Sequence, residues 1–351
     1  MVYIHSVSGV FPETFIDQSS IREFANSLFY NSGLNVNKLL PIFENAKIQR
    51  RPILKSVDWY AKTKTFKEKN DEFLKHSLEL GEKACRSALE KANLEAKDVA
   101  GFLVVTSSGF VTPTLDARLM DILGMDSDCI RVPITGLGCA GGVYGLSRAK
   151  DLANLNPGKK ILLLAVETCT ITFRPSDKRK ANLVALSLFS DGAAAVVLST
   201  EKKEKSIFLK DSYSYKWKDS LSIMGWDVEE DGLQVVFDKS IPVHIHENYA
   251  PIFQKFLEKY SLNRSEIKHF VFHPGGKKVL DAFAASLNEP EESFKNSFSI
   301  LENYGNLSSP TVLLVLEKFL EEKNFHGNEL GVLSAMGPGF TSEFLSFETS
   351  M

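Results

Sequence analysis

Leu89-Glu90-Lys91-Ala92-Asn93-Leu94-Glu95-Ala96-Lys97-Asp98-Val99 returns, 168 residues further on, as Leu257-Glu258-Lys259-Tyr260-Ser261-Leu262-Asn263-Arg264-Ser265-Glu266-Ile267. The two stretches align without a gap. Each reads as a helix end and a short polar link entering an apolar strand, residues 101–106 in one case and 269–273 in the other. The register holds beyond the match. Gly138-Cys139 opens one apolar-periodic segment and Gly305-Asn306 opens another, 167 residues later. Ile161-Leu162-Leu163-Leu164-Ala165-Val166 is echoed by Leu330-Gly331-Val332-Leu333-Ser334-Ala335. Continuous apolar runs of this kind suit a sheet covered on both faces. Two halves of one α/β plan are therefore expected, residues 1–200 and 201–351, meeting about a pseudo-twofold axis.

Gly136-Leu137-Gly138-Cys139-Ala140-Gly141-Gly142 is a single cysteine among small residues. Val143, Leu146, Ala149 and Leu152 follow at helical spacing. A cysteine at a helix start lies at the positive end of the dipole, which favours thiolate. In the second half, His273-Pro274-Gly275-Gly276 couples an imidazole to a turn, and Tyr304-Gly305-Asn306-Leu307-Ser308-Ser309-Pro310 sets an asparagine before Val312, Val315, Leu316 and Phe319. Read alone, the cysteine is a buried small side chain, the histidine a turn residue and the asparagine an N-cap. The duplication brings pseudo-equivalent element ends together, and all three residues sit at such ends.

The 351 residues are 44% hydrophobic and 24% charged, enough for a large core. A net charge of −3 gives no electrostatic case for nucleic acid. No apolar run reaches membrane-spanning length and no signal-type start is present. Cys85, Cys129, Cys139 and Cys169 lack paired or metal-like spacing, and the seven histidines are scattered. A soluble, cytoplasmic protein without structural disulfides or a metal site is expected.

A cysteine, a histidine and an asparagine suit acyl transfer. A thiolate attacks a thioester and carries the acyl group. A nearby imidazole stabilises the thiolate as an ion pair. Asn and His N–H groups hold an oxygen that becomes negative. Decarboxylation of a malonyl thioester leaves an enolate those donors can hold. Its carbon then attacks the acyl-cysteine. Such chemistry calls for no metal or redox cofactor.

Six stretches carry a family resemblance: Gly138-Cys139-Ala140-Gly141-Gly142, residues 167–177, residues 188–195, His273-Pro274-Gly275-Gly276, Gly305-Asn306-Leu307-Ser308-Ser309 and Gly337-Pro338-Gly339-Phe340. In order and spacing the chain resembles the type III polyketide synthases, the chalcone and stilbene synthase-like members of the thiolase superfamily. The resemblance implies a thiolase-like, duplicated five-layer αβαβα fold, a homodimer, and acyl-CoA and malonyl-CoA as substrates. It makes Cys139 the acyl carrier and assigns decarboxylation and condensation to His273 and Asn306. Phe189 matches a gatekeeper phenylalanine. Val235 falls at the second gatekeeper position, where a smaller side chain implies a wider passage. Trp226 and Cys169 fall in cavity-lining stretches. Ser107, Glu167, Thr172 and Ser308 are implied near the cyclisation site.

The CoA-binding cations depart from the plant-type pattern. Lys38 aligns with the first, but Pro41 and Asn45 replace the other two. Arg50, Arg51, Lys277 and Lys278 remain candidates, Lys278 with Gly276 beside the expected CoA path. Delivery by free CoA or by an acyl carrier protein stays open. The reading that leads is iterative condensation of malonyl-CoA on a fatty acyl starter, yielding alkylpyrones or alkylresorcinols. A ketoacyl synthase III-like enzyme would share the Cys/His/Asn set, but usually carries His-Gln-Ala-Asn where His-Pro-Gly-Gly stands here. A hydroxymethylglutaryl-CoA synthase-like enzyme fits less well, because no carboxylate base is evident beside the cysteine. A silent binding partner of the same fold would tend to lose the cysteine.

Overall fold

The computed structural model describes residues 1–30, 35–322 and 327–350. In chain order the elements that build the site are β1 (Val2–Val10), α1 (Phe66–Ala92), β2 (Val99–Thr106), β3 (Ile130–Thr135), α2 (Gly141–Leu155), β4 (Lys160–Thr168), α3 (Lys180–Leu188), β5 (Asp191–Ser199) and β6 (Ser206–Lys216). They continue with β7 (Met224–Glu229), β8 (Gly232–Phe237), α4 (Ile241–Lys259), β9 (Ile267–Phe272), α5 (Lys277–Leu287), α6 (Lys295–Tyr304), α7 (Ser309–Glu322), β10 (Leu330–Gly337) and β11 (Thr341–Ser350).

The repeated stretch folds the same way twice. Leu94 N–H donates to Leu89 C=O at 3.0 Å, and Leu262 N–H donates to Leu257 C=O at 2.9 Å. This six-to-one bond ends a helix on a left-handed residue, here Asn93 and Ser261. One turn later Asp98 N–H bonds Glu95 C=O, and Glu266 N–H bonds Asn263 C=O. Each copy then enters its strand.

Nine strands form one sheet in the order β9-β10-β11-β6-β1-β5-β4-β2-β3. The order is symmetric about the β6–β1 seam. β2 and β4 run parallel, as do β9 and β10, and each pair is followed by an antiparallel neighbour, β5 or β11. The edge strand β3 extends the first half only. β4, β5 and β10 are buried almost throughout, as both-face coverage requires.

Three apolar clusters alternate with the two sheet halves and make five layers. On one outside, Phe73 and Leu80 of α1 pack on Phe102, Leu162 and Val197. On the other, Phe253 and Phe256 of α4 and Phe283 of α5 pack on Phe270, Phe272 and Phe344. Between the halves, Leu146 of α2 and Val312 and Leu316 of α7 share a cluster with Leu103, Leu163, Leu333 and Leu345. The central helices α2 and α7 touch each other as well as the strands.

Their beginnings meet at Gly142. A Cβ there would lie 2.3 Å from the Ser309 carbonyl oxygen, inside any tolerable contact. Gly138 has φ +48°, in the left-handed region, where its turn throws Cys139 inward. Small residues thus let the two helix starts close on one point. Gly142→Ala is expected to lower stability by about 2 kcal/mol or more, because backbone must move to admit the methyl. Urea denaturation beside Gly225→Ala, where nothing lies within 4 Å of the added Cβ, checks this; equal midpoints for the two variants would overturn it.

Candidate active site

Cys139 occupies a short 3₁₀ turn, Gly138–Ala140, immediately ahead of α2. Its side chain is buried, and Sγ lies 3.9 Å from Asn306 Oδ1. Asn306 sits between α6 and α7. Its backbone is held by a bond from its N–H to Leu188 C=O (2.9 Å) and one from Ser190 N–H to its own C=O (3.0 Å). Its amide is oriented by two backbone partners: Ser308 N–H donates to Oδ1 at 2.7 Å, and Nδ2 donates to Gly275 C=O at 3.2 Å. His273 follows β9, anchored by its N–H to Ser334 C=O at 2.8 Å. Its ring is buried, and among the described residues neither nitrogen has a hydrogen-bond partner. Cys139, His273 and Asn306 line one chamber together with Met224, Phe237 and Phe340.

Burial dominates the electrostatics. It pushes the Cys139 thiol up to about 11, against the Ser308 hydroxyl and the Asn306 side chain, which pull it down. It also brings His273 down to about 3. In the closed chamber both groups therefore favour their neutral forms, and the thiolate–imidazolium pair expected from the sequence is opposed by desolvation.

Glu167 ends β4 and is fully buried. Ser107 N–H (2.9 Å) and Ser108 Oγ (2.8 Å) donate to Oε2, and Ser309 Oγ (2.8 Å) donates to Oε1. Burial outweighs these donors and raises its carboxyl to about 7. Both oxygens are thus taken up by protein, joining the two halves through Ser309. Ser107 Oγ in turn accepts the Gly138 N–H at 2.9 Å and steadies the cysteine turn. Ser308, in the left-handed region at φ +62°, supports Asn306 through its backbone.

Beyond the cysteine chamber lies an apolar cavity lined by Cys169, Thr172, Phe189, Trp226 and Val235, reaching Ile21, Phe24 and Val57. Thr172 Oγ1 donates to Cys169 C=O at 2.6 Å. The Phe189 ring stands 6.0 Å from Trp226 and 6.3 Å from Phe237. Val235 faces this inner cavity, whereas Phe237 lines both the cysteine chamber and an outer groove. The two share one face of β8, being two residues apart. An aromatic ring thus stands one step along the strand from Val235. The chamber offers about 20 Å³ to water centres and the cavity about 40 Å³.

The outer groove, about 410 Å³, shares Phe237, Ile241, Gly275 and Val279 with the chamber. Lys180, Lys239, Lys277, Lys278 and Gly276 line it, at the starts of α3, α4 and α5. Lys277 is paired with Asp281 at 2.7 Å; Lys180 and Lys278 form no ion pair among the described residues. Arg51 does not reach the groove. It is fully buried and donates to the Phe189 and Leu186 carbonyls at 3.1 and 2.6 Å. Arg50 lies over the Phe15 ring, and Lys38, on a short helix, stands outside the groove lining. Phe237, Lys180 and Lys239 carry no motif, so sequence reading passed over them. Among the described residues no cluster of His, Cys, Asp and Glu is placed to hold a metal ion, and no helix is long and apolar enough to cross a membrane.

Residues 49–202 match the family model for chalcone and stilbene synthases, N-terminal domain, and residues 218–349 match the C-terminal domain. A putative chalcone synthase of Bacillus subtilis is 36% identical over 99% of this chain and 98% of its own length. A 1,3,6,8-tetrahydroxynaphthalene synthase of Streptomyces peucetius is 34% identical over 93% of this chain and 88% of its own. The crystal structure of the Streptomyces coelicolor 1,3,6,8-tetrahydroxynaphthalene synthase, a bacterial type III polyketide synthase, superposes with a TM-score of 0.94 at 26% identity, covering 99% of each chain. The chain belongs to the chalcone and stilbene synthase family, the type III polyketide synthases. It is accordingly an acyltransferase that forms carbon–carbon bonds on the thiolase-like fold.

The raised Glu167 carboxyl has a measurable consequence. Its folded value of about 7 exceeds the ordinary 4.5. The folded state binds this proton more tightly, so ionisation opposes folding: not below pH 4.5, increasingly up to pH 7, and by up to about 3 kcal/mol above it. Glu167→Gln removes that titration. Its stability relative to wild type is expected to rise through this window and level off above it, read by urea denaturation at stepped pH. A difference that stays flat from pH 4.5 to 7.5 would show that Glu167 is not the group responsible.

Proposed function

We propose that Cys139 carries the acyl chain through iterative extension by malonyl-CoA. The neutral His273 imidazole takes the thiol proton, and the thiolate attacks the acyl-CoA carbonyl carbon and expels CoA as its thiolate, which takes a proton from water, so that His273 stays an imidazolium. Malonyl-CoA then loses CO₂, and the electron pair settles on the thioester oxygen as an enolate. Imidazolium N–H and the second N–H of Asn306 Nδ2 hold that oxygen. The enolate carbon attacks the acyl-cysteine, expels the thiolate and leaves the lengthened chain on CoA for reloading. The observation that carries this reading is the shared chamber: an unpaired buried imidazole, an oriented amide and a buried thiol behind Phe237, at the end of a lysine-lined groove.

The groove supports delivery by free CoA thioesters. Lys180, Lys239 and Lys278 stand where phosphates would lie, with Gly276 letting the pantetheine arm pass, and Lys38 is left without a place on the path. Phe189 and Phe237 serve as the gate to the inner cavity. The apolar cavity wall, with Ile21, Phe24, Val57 and Val235, suits a fatty acyl starter and hence alkylpyrones or alkylresorcinols. Cys169, Thr172, Trp226 and Ser308 shape the cyclising end, and Glu167 acts through the serines it binds. The working unit is a homodimer.

Mass spectrometry of products from malonyl-CoA with acyl-CoAs of graded length tests this. Multiply extended pyrones or resorcinols from long-chain starters, absent in Cys139→Ala, are expected. A single-extension ketoacyl product, or a preference for short or aromatic starters, would overturn the starter assignment. Separately, Lys180→Ala with Lys239→Ala is expected to raise KM for malonyl-CoA about a hundredfold with kcat unchanged, each phosphate contact being worth about 1.4 kcal/mol. The KM for malonyl-pantetheine, which lacks those phosphates, should not move; a parallel rise would place the lysines outside the phosphate site.

A further inference from the structure

The cysteine chamber, about 20 Å³, and the inner cavity, about 40 Å³, are both narrow. Their walls therefore bound the length of the chain they can hold. The inner cavity is walled by helices, by turns, by the paired segments Phe15–Asp17 and Arg50–Pro52, and by the β7–β8 hairpin. That hairpin is a two-stranded sheet apart from the nine-stranded one. A lone hairpin is marginal by itself and depends on what holds it down. Yet Met224 and Phe237 of this hairpin line the cysteine chamber, and Trp226, Leu233 and Val235 line the inner cavity.

The hairpin is fastened along β8 and, by side-chain bonds, at its tip. The Asp231 carboxylate takes Arg174 Nε at 2.5 Å on one oxygen and Ser176 Oγ at 2.5 Å on the other. Both ionic side chains are largely buried, at 11% and 22% exposure, so the pair is weakly screened. Beside it, Phe66 N–H donates to Glu230 C=O at 3.2 Å. Lys69 packs under Gly232 and donates to Phe173 C=O at 2.9 Å. Further down, Arg179 Nη2 bonds Val235 C=O at 3.1 Å, and the root closes through Asp238 N–H to Ile223 C=O at 2.9 Å. Arg174 directly follows Phe173, itself a cavity-wall residue. The latch thus spans the two sides of the space the product must fill.

We propose that the Asp231–Arg174 latch sets product length, by holding the β7–β8 hairpin against the growing chain until further extension would have to break it. Asp231 and Arg174 are positioning residues in this scheme; neither touches the reacting atoms.

The test is the product distribution of Asp231→Asn from one fixed starter with excess malonyl-CoA. A shift toward at least one further extension is expected, with KM for malonyl-CoA within twofold of wild type and faster hydrogen exchange confined to residues 224–237. The exchanged pair, Asp231→Arg with Arg174→Asp, should return the distribution toward wild type. Ser176→Ala, which spares the ion pair, should shift it less in the same direction, and stands in if Asp231→Asn loses its fold. Unchanged product lengths in a folded variant, or no rescue by the exchanged pair, would overturn the latch. The inference rests on the iterative extension proposed above. Absence of any extended product from wild type would sink that reading, whereas extended products of unaltered length in the variants would sink the latch alone.

Discussion

The site depends on one close approach, the contact of the α2 and α7 beginnings at Gly142 and the Ser309 carbonyl. Cys139 precedes one helix and Asn306 the other, and they belong to different halves of the chain. Neither half can assemble the site alone. The 3.9 Å between sulfur and amide oxygen exists because the helix starts nearly touch. Glu167 reinforces this seam from below. Its carboxylate, at the end of a first-half strand, takes a hydroxyl from Ser309 of the second half and two donors from the Ser107–Ser108 turn. Leaving any of those donors unpaired in so dry a place would cost about 1–3 kcal/mol, so the seam is fixed by these hydrogen bonds as well as by packing.

The same dryness governs the chemistry. Burial drives Cys139 and His273 toward neutrality, in opposite directions on the pH scale. A standing ion pair in this chamber would have to overcome two desolvation penalties with one attraction. In the mechanism proposed above the charges form only as the thioester arrives, which avoids holding that unfavourable state. Donors already oriented need not reorganise when the enolate appears. The Asn306 amide meets this requirement, since Ser308 N–H and Gly275 C=O fix both of its ends.

Much of this was legible in the sequence, and the reason is local. The repeated helix ends show in Leu89–Val99 and Leu257–Ile267 because left-handed caps and polar links constrain residue type directly. The cysteine, histidine and asparagine show because glycines and prolines must surround residues placed at sharp turns. What escaped reading is what only tertiary structure creates. Phe237 took the ring that Val235 lacks, and a motif comparison at one position cannot see a neighbour two residues along the same strand face. Arg51 read as a candidate phosphate ligand because an arginine is usually exposed; the fold instead buries it on two carbonyl groups. Lys180 and Lys239 became groove residues because three helix starts converge, although the chain separates them by tens of residues. The opposed protonation of Cys139 and His273 was illegible for the same reason, burial being a property of the folded molecule.

A narrow cavity suits the iterative extension proposed above. An enolate and an acyl-cysteine are both consumed by water, so a site that performs several condensations gains by admitting little of it between steps. A rigid cavity large enough for the final product would be full of water at the first step. A wall that yields to the chain keeps the occupied volume close to the volume needed at every length. Such a wall cannot be part of the central sheet, whose strands are bonded on both sides and buried on both faces. It must be an element with few bonds to the rest, and those bonds must be strong enough to close it when empty. Among the described residues the β7–β8 hairpin suits that role: it lies outside the nine-stranded sheet, it lines both the cysteine chamber and the inner cavity, and a largely buried ion pair closes its tip.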